Sequence, residues 1–237
     1  MAHRTITGKI AYTSKKPHML DQWRGEEAFR FTHHGDGQTT LRAHCFIAEP
    51  DPSVMRDIMY SIDANRRPMD CHVRLTVGDK FMGTGWFRFG EDFIECESYG
   101  PTIGRVSQRV DLKAPIDGFG THPIVADGYF LSLHDWEAQK RHTFNMYLPS
   151  PDHRGATPPF LAPVRIDGLH LGKEEITVKA GTFQTRHFQF LDDGSSGMAG
   201  EHPIYDVWIT DDRDAIFVQG GVGGYMQTWY ELVELNR

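Results

Sequence analysis

Cys71-His72-Val73-Arg74-Leu75-Thr76-Val77-Gly78-Asp79 is the stretch that decides the fold. Cys71, Val73, Leu75 and Val77 take one phase of a period-two repeat, and His72, Arg74 and Thr76 take the other. A chain alternates in this way when it runs as a β-strand with one face in a core. Gly78-Asp79 then supplies a two-residue hairpin signal, and residues 80–89 read as the returning strand.

The pattern extends in both directions. Upstream, 27–32 carries Phe29 and Phe31 on alternate positions, and His33-His34-Gly35-Asp36-Gly37 forms a turn. Residues 39–48 set Leu41, Ala43, Cys45 and Ile47 against Arg42, His44 and Phe46. A strand at 55–62 and a turn at 63–68 follow. Downstream, 92–99 pairs with 80–89 across Gly90-Glu91, and 104–112 adds another strand. Residues 26–112 therefore read as a β-meander, preceded by a polar, irregular arm over 1–25 that closes at Trp23.

Beyond the central connection the alternation resumes at 141–148. A loop at 149–163 with five prolines crosses between the halves. A second meander over 141–237 is then expected to use strands at 164–169, 174–179, 183–191, 204–210, 215–219 and 225–235, with a glycine- and serine-rich loop at 192–200. The glycine run Gly220–Gly224 reads as a place where strands bend or a ligand comes close. The expected fold is all-β: an antiparallel lipocalin-like barrel or strongly curved sandwich of about ten or more strands, in one domain over 1–237. A single short helix is expected in the central connection at 113–140.

Ala180-Gly181-Thr182-Phe183-Gln184-Thr185-Arg186-His187-Phe188 opens an alternating strand, answered by Tyr205-Asp206-Val207-Trp208-Ile209. This strand-and-turn signature resembles poorly characterised bacterial lipocalin-like β-barrel proteins, mainly across the second half of the chain. The resemblance implies a curved antiparallel sheet around an apolar, ligand-sized cavity. It implies no reaction and carries over no catalytic residue.

Composition narrows the function classes. A net charge of −7 with no basic run argues against nucleic acid as a partner. Three widely spaced cysteines, Cys45, Cys71 and Cys96, in strand-like segments read as reduced and buried. The N-terminus lacks the apolar core of a secretory signal, and no stretch approaches the ~20 apolar residues of a membrane span. The simplest expectation is a cytoplasmic protein with no membrane partner, and homo-oligomerisation stays open.

The central stretch concentrates ionisable groups. With Thr121 as cap and Pro123 in the first turn, 121–139 reads as a helix carrying Ile124, Asp127, Leu131 and His134 on one face, a loop with a short helix being the alternative. His122, Asp127 and His134 are the candidate catalytic acid/base residues, with Tyr129 as proton donor or phenol-binding group. Candidate substrate-binding residues come from the polar strand phase, His44, His72, Arg74, Trp86 and Arg88, joined by Tyr205 and Trp208. That phase lines a cavity if it points inward; a solvated outer face is the alternative. No metal is assigned, because the thirteen histidines show neither HxH nor HExxH spacing. GxSxG, GxGxxG and Walker patterns are absent, so no organic cofactor is expected.

The leading functional expectation is a cofactor-independent enzyme. It would do acid/base chemistry of lyase, dehydratase or isomerase type on a small hydrophobic, aromatic or polycyclic molecule. The alternative is a non-catalytic carrier of an apolar ligand, and the third reading is an interaction domain with a filled interior.

Overall fold

The computed structural model describes residues 3–237. The first meander comprises β1 (Arg4–Ser14), β2 (Trp23–His33), β3 (Thr39–Ile47), β4 (Val54–Ile62), β5 (Pro68–Val77), β6 (Lys80–Phe89), β7 (Phe93–Gly100) and β8 (Gly104–Asp111). The central connection carries β9 (Gly118–Phe119) and the helix α1 (Asp127–Leu131). The second meander comprises β10 (Arg141–Leu148), β11 (Ala162–Val178), β12 (Gly181–Leu191), β13 (Tyr205–Thr210), β14 (Phe217–Val222) and β15 (Thr228–Asn236).

All fifteen strands join one curved, barrel-like sheet in the order β8-β7-β6-β5-β4-β3-β2-β1-β15-β14-β13-β12-β11-β10-β9. Every pairing is antiparallel except the short β9–β10 contact, which is parallel. Each half is a run of nearest-neighbour strands, as local hairpin signals dictate. The halves meet where β1 pairs with β15, placing Tyr12 opposite Tyr230.

This join corrects the expectation of an irregular N-terminal arm. Residues 4–14 form a strand in the middle of the sheet, paired on both sides. Ile6, Ile10, Tyr12 and Ser14 are buried, but Gly8 and Lys9 interrupt the aliphatic phase and the register slips between Lys9 and Ile10. Two further boundaries move. Residues 164–169 and 174–179 belong to the single strand β11, which bulges between His170 and Gly172. The first glycines of the 220–224 run lie within β14.

The long helix expected over 121–139 does not form. One 3-10 turn at Ile124–Ala126 leads into the five-residue α1. Thr121 donates its hydroxyl to the carbonyl of Pro123 at 3.3 Å instead of capping a helix. At the other end the Trp136 indole N–H donates to the carbonyl of Leu131 at 2.6 Å, taking an acceptor that a continuing helix would use.

The central segment packs inside the sheet. Phe119 meets Phe87 and Phe89, with ring centroids 5.1 and 4.9 Å apart. Tyr129 lies against Phe31 at 5.2 Å, Phe130 against Phe144 at 5.4 Å, and Trp136 against Phe188 at 5.0 Å. The segment thus plugs the barrel and ties the two halves together. All three cysteines are buried and unpaired.

Gly128 marks the tightest contact of this plug: a Cβ there would stand 1.8 Å from the carbonyl oxygen of Ala215. Backbone cannot yield as a flexible side chain does, so Gly128→Ala is expected to destabilise the fold by about 1–3 kcal/mol, although alanine is the better helix former. Denaturant unfolding of the variant measures this, and an unchanged or raised midpoint would contradict the packing described.

Candidate functional site

A row of polar side chains crosses the inner face of the first half. Cys45 stands opposite Glu27 on one side and opposite Arg56 on the other. All three are buried. They are held there by the strand period, since Glu27 shares its phase with Phe29 and Phe31, and Arg56 shares its phase with Ile58 and Tyr60.

Glu27 reaches the plug. Its carboxylate accepts the Tyr12 hydroxyl at 2.7 Å and the backbone N–H groups of Ile124 and Val125 at 3.0 and 3.1 Å. These two N–H groups open the helical turn, where donors lack partners of their own. Burial pushes the Glu27 carboxyl up to about 7, against the opposing pull of Tyr12, the two N–H groups and the Arg56 charge.

Arg56 is placed differently. One guanidinium nitrogen contacts Cys45 Sγ at 3.4 Å. Its Nε and Nη1 find no acceptor among the described residues. Arg24, also buried, is better partnered, donating to the carbonyls of Glu49 and Met226 and pairing with the Glu49 carboxylate at 3.0 Å.

Between this row and the second half lies a cavity of about 150 Å³. Met146, Leu148, Val164, Ile166 and Phe190 supply apolar wall from the second half, and Phe130 supplies it from the plug. Arg56, His122, Asp127, His202 and Tyr205 contribute polar groups. Asp127 is half-buried and faces this cavity. Tyr205 donates its hydroxyl to the Asp127 carboxyl at 3.1 Å. Burial raises that carboxyl to about 8, and the nearby Glu27 charge adds to the rise.

Hydrogen bonds set the histidine tautomers. His122 Nε2 donates to the Ser150 carbonyl at 3.2 Å, which leaves Nδ1 as an acceptor. His202 Nδ1 donates to the Pro203 carbonyl at 2.6 Å, leaving Nε2 as an acceptor. Burial holds both rings below the ordinary histidine range, and the Arg56 charge lowers His122 further. His122 also adopts a left-handed backbone with φ +69, and Gly155 packs closely over it and Arg56. Closing the mouth, His153 donates to the Gly200 carbonyl at 2.9 Å and meets the Tyr225 hydroxyl. Three loops are thereby joined.

The residues singled out in the sequence divide. His122, Asp127 and Tyr205 line the cavity together. Tyr129 and His134 do not join them. Tyr129 packs on the other side of the plug against Phe31 and Tyr60. His134 lies against His142, with ring centroids 4.0 Å apart. The expected cationic cavity lining is corrected: His44, His72, Arg74, Trp86 and Arg88 lie on the outer, exposed face of the first half. There His44 meets Asp57 at 2.7 Å, His72 stacks on Trp86, Arg74 covers Phe81, and Arg88 pairs with Glu95. Trp208 also leaves the cavity, stacking on His187 at 3.9 Å and donating to Glu174 at 2.7 Å. Hydrophobic burial selects the aliphatic phase for the inside, and the polar phase keeps its hydration.

Glu27 and Arg56 were not singled out from the sequence. The available signal was a charge in phase with an aliphatic or aromatic run. Among the described residues no group of three or more His, Cys, Asp or Glu side chains is arranged to hold a metal.

No family model matches the chain, and no curated protein matches it. Solved structures do. A β-barrel-like protein of the domain of unknown function DUF1849 from Brucella abortus superposes with a TM-score of 0.59 at 15% identity, covering 99% of this chain and 96% of that one. A DUF1089 family protein from Pseudomonas aeruginosa aligns with a TM-score of 0.44 at 10% identity, over 85% of this chain and 90% of that one. A putative exported protein with a YmcC-like fold from Bacteroides fragilis gives a TM-score of 0.41 at 6% identity, over 98% and 95% of the two chains. The first of these establishes a shared barrel-like fold. No helix among the described residues is long and apolar enough to cross a membrane.

Two outcomes test the site's energetics. Glu27→Ala leaves two buried N–H groups without an acceptor and is expected to cost about 3 kcal/mol or more, with Glu27→Gln, which keeps one acceptor, losing about half of that. Equal losses for the two variants in denaturant melts would contradict the acceptor role.

The second concerns pH. Asp127 rises from 3.8 to about 8 on folding, so within that window the folded chain keeps a proton that the unfolded chain releases. Its contribution to stability is complete below the unfolded value and is lost as pH rises through the folded value. Asp127→Asn lacks this contribution, so the stability of the natural chain relative to the variant should decline between about pH 4 and pH 8. A difference that stays level across that range in chemical melts would rule the assignment out.

Proposed function

We propose that this protein binds a small, largely apolar molecule in its interior, using the barrel as a lipocalin-like carrier does. One observation carries the reading: a partly open cavity of about 150 Å³ whose walls are mostly aliphatic and aromatic, with a few converging polar groups. Ligand sites have this composition, the apolar wall supplying affinity and the polar groups orientation. A cavity on the order of this size admits a benzene-sized molecule.

A second reading is favoured by Asp127. A carboxyl raised to about 8 beside a tyrosine hydroxyl holds a proton at neutral pH and faces the cavity. General acid/base chemistry needs a group poised in this range. On this reading Asp127 exchanges a proton with the bound molecule, in a reaction of lyase or isomerase type, while Tyr205 positions the carboxyl.

A thermal-shift screen of aromatic, terpenoid and short-chain aliphatic compounds, run in deuterated buffer with mass spectrometry of each mixture, separates the readings. A ligand at about 100 times its Kd should stabilise the fold by about 2.7 kcal/mol. Stabilisation with the compound recovered unlabelled supports the carrier. A mass change or deuterium uptake that disappears in Asp127→Asn supports the enzyme. No stabilisation by any compound would overturn both.

A further inference from the structure

We infer that the protein carries a second site, at the end of the barrel away from the cavity, that takes a small oxyanion of phosphate type between the Arg66 and Arg213 guanidiniums.

Arg4 opens β1, His33 closes β2 and Thr39 opens β3, so the three lie at one end of the sheet. The opposite ends of β2 and β3 bring Arg24 and Ile47 to the cavity. Between Arg4, His33 and Thr39 and two neighbouring turns lies a pocket of about 390 Å³. The turn before β5 contributes Arg66, and the turn before β14 contributes Arg213. Arg66 holds a left-handed backbone, with φ +65. Its Nη1 donates to the Ser132 hydroxyl at 2.6 Å, and its Nη2 donates to the Arg213 carbonyl. These neutral acceptors fix the guanidinium in place without compensating its charge. Nε has no partner among the described residues, and it is not a buried atom.

The carboxylates of the pocket are committed elsewhere. Asp214 takes both Arg4 terminal nitrogens, one of them at 2.9 Å. It stands 3.8 Å from Arg213, whose side chain is 81% exposed. Asp63 accepts the backbone N–H groups of Asn65 and Arg67 at 2.8 and 2.9 Å. Arg66 therefore has no ion-pair partner among the described residues, and Arg213 has only the distant one it shares with Arg4. His33 registers the excess: burial lowers it first, and the charges of Arg4, Arg213 and Arg66 push the same way against the pull of Asp214. Tyr129, 4% exposed, also lines the pocket, and its hydroxyl has no partner among the described residues.

Guanidinium groups gathered around one shared carboxylate repel one another, and an oxyanion relieves the repulsion by accepting their donors in charge-assisted pairs. A planar carboxylate serves one such fork. A tetrahedral phosphate turns oxygens in several directions and can face guanidiniums that arrive from two turns. The chain as a whole carries −7, which disfavours anions in general, so selective binding depends on this local arrangement.

Calorimetric titration and thermal shift would compare inorganic phosphate, glycerol phosphate and acetate, with sodium chloride at matched ionic strength as the screening control. The chains are the natural one, Arg66→Gln, Arg213→Ala and, as a control on the outer face of β6, Arg88→Gln. Phosphate or its monoester should bind at least about tenfold more tightly than acetate. Arg66→Gln and Arg213→Ala should each weaken that binding at least about tenfold, and Arg88→Gln should leave it unchanged. Tighter binding of the free ion assigns the site to inorganic phosphate, and tighter binding of the ester assigns it to a phosphorylated molecule. Should Arg66→Gln fail to fold for want of its Ser132 contact, the exposed Arg213 decides alone. The inference is overturned by acetate binding as tightly as phosphate, by chloride producing the same shift, by unchanged binding in Arg213→Ala, or by no binding of either phosphate.

Discussion

The interior of this protein depends on a buried carboxylate. Glu27, on a strand of the first meander, accepts the backbone N–H groups of Ile124 and Val125, which lie 97 and 98 residues further along the chain. Without such an acceptor, the opening of the central helical turn would bring unpaired donors into an apolar core. With it, the central segment can enter the barrel and present Phe119, Tyr129, Phe130 and Trp136 to both halves of the sheet. A curved sheet of fifteen strands encloses more space than its own inward side chains fill, and the plug supplies the missing volume.

The cavity is what the plug leaves over. Its polar groups differ in how they are satisfied, and the difference assigns their roles. Glu27 and Arg24 are held by protein partners and belong to the architecture. His122 and His202 spend one ring nitrogen on a backbone carbonyl and keep the other as an acceptor. Asp127 keeps a proton. Arg56 is buried with Nε and Nη1 unpartnered among the described residues. Buried polar groups in a folded chain are expected to be paired, so Arg56 is an exception in this interior. The left-handed backbone of His122 and the close packing of Gly155 over Arg56 add conformational constraint at the same place.

Much of the architecture was legible in the chain. Alternation around Cys71–Val77 and the two-residue hairpin signals yielded most strands of the meanders, because burial of one sheet face leaves a period of two in the residues themselves. The central stretch was legible as different, and it does occupy the centre. The strand of residues 4–14 was not legible, since Gly8 and Lys9 break its aliphatic phase and its register slips beside them. Nor was the end of the helix: the indole of Trp136 and the carbonyl of Ala215 decide it, and both act through space.

The candidate site divides along the same line. By itself the sequence determined an all-β chain, an aliphatic strand phase opposed to a polar one, and a cluster of ionisable groups between two meanders. These are local properties, written in neighbouring residues. Tertiary structure decided which phase faces inward, sending His44, His72, Arg74, Trp86 and Arg88 outside and bringing Glu27 and Arg56 in. It also decided that His122, Asp127 and Tyr205 meet while Tyr129 and His134 stay apart. The reason is physical: a strand's period fixes which residues share a face, but only the closing of the sheet around its plug fixes which face is the inside.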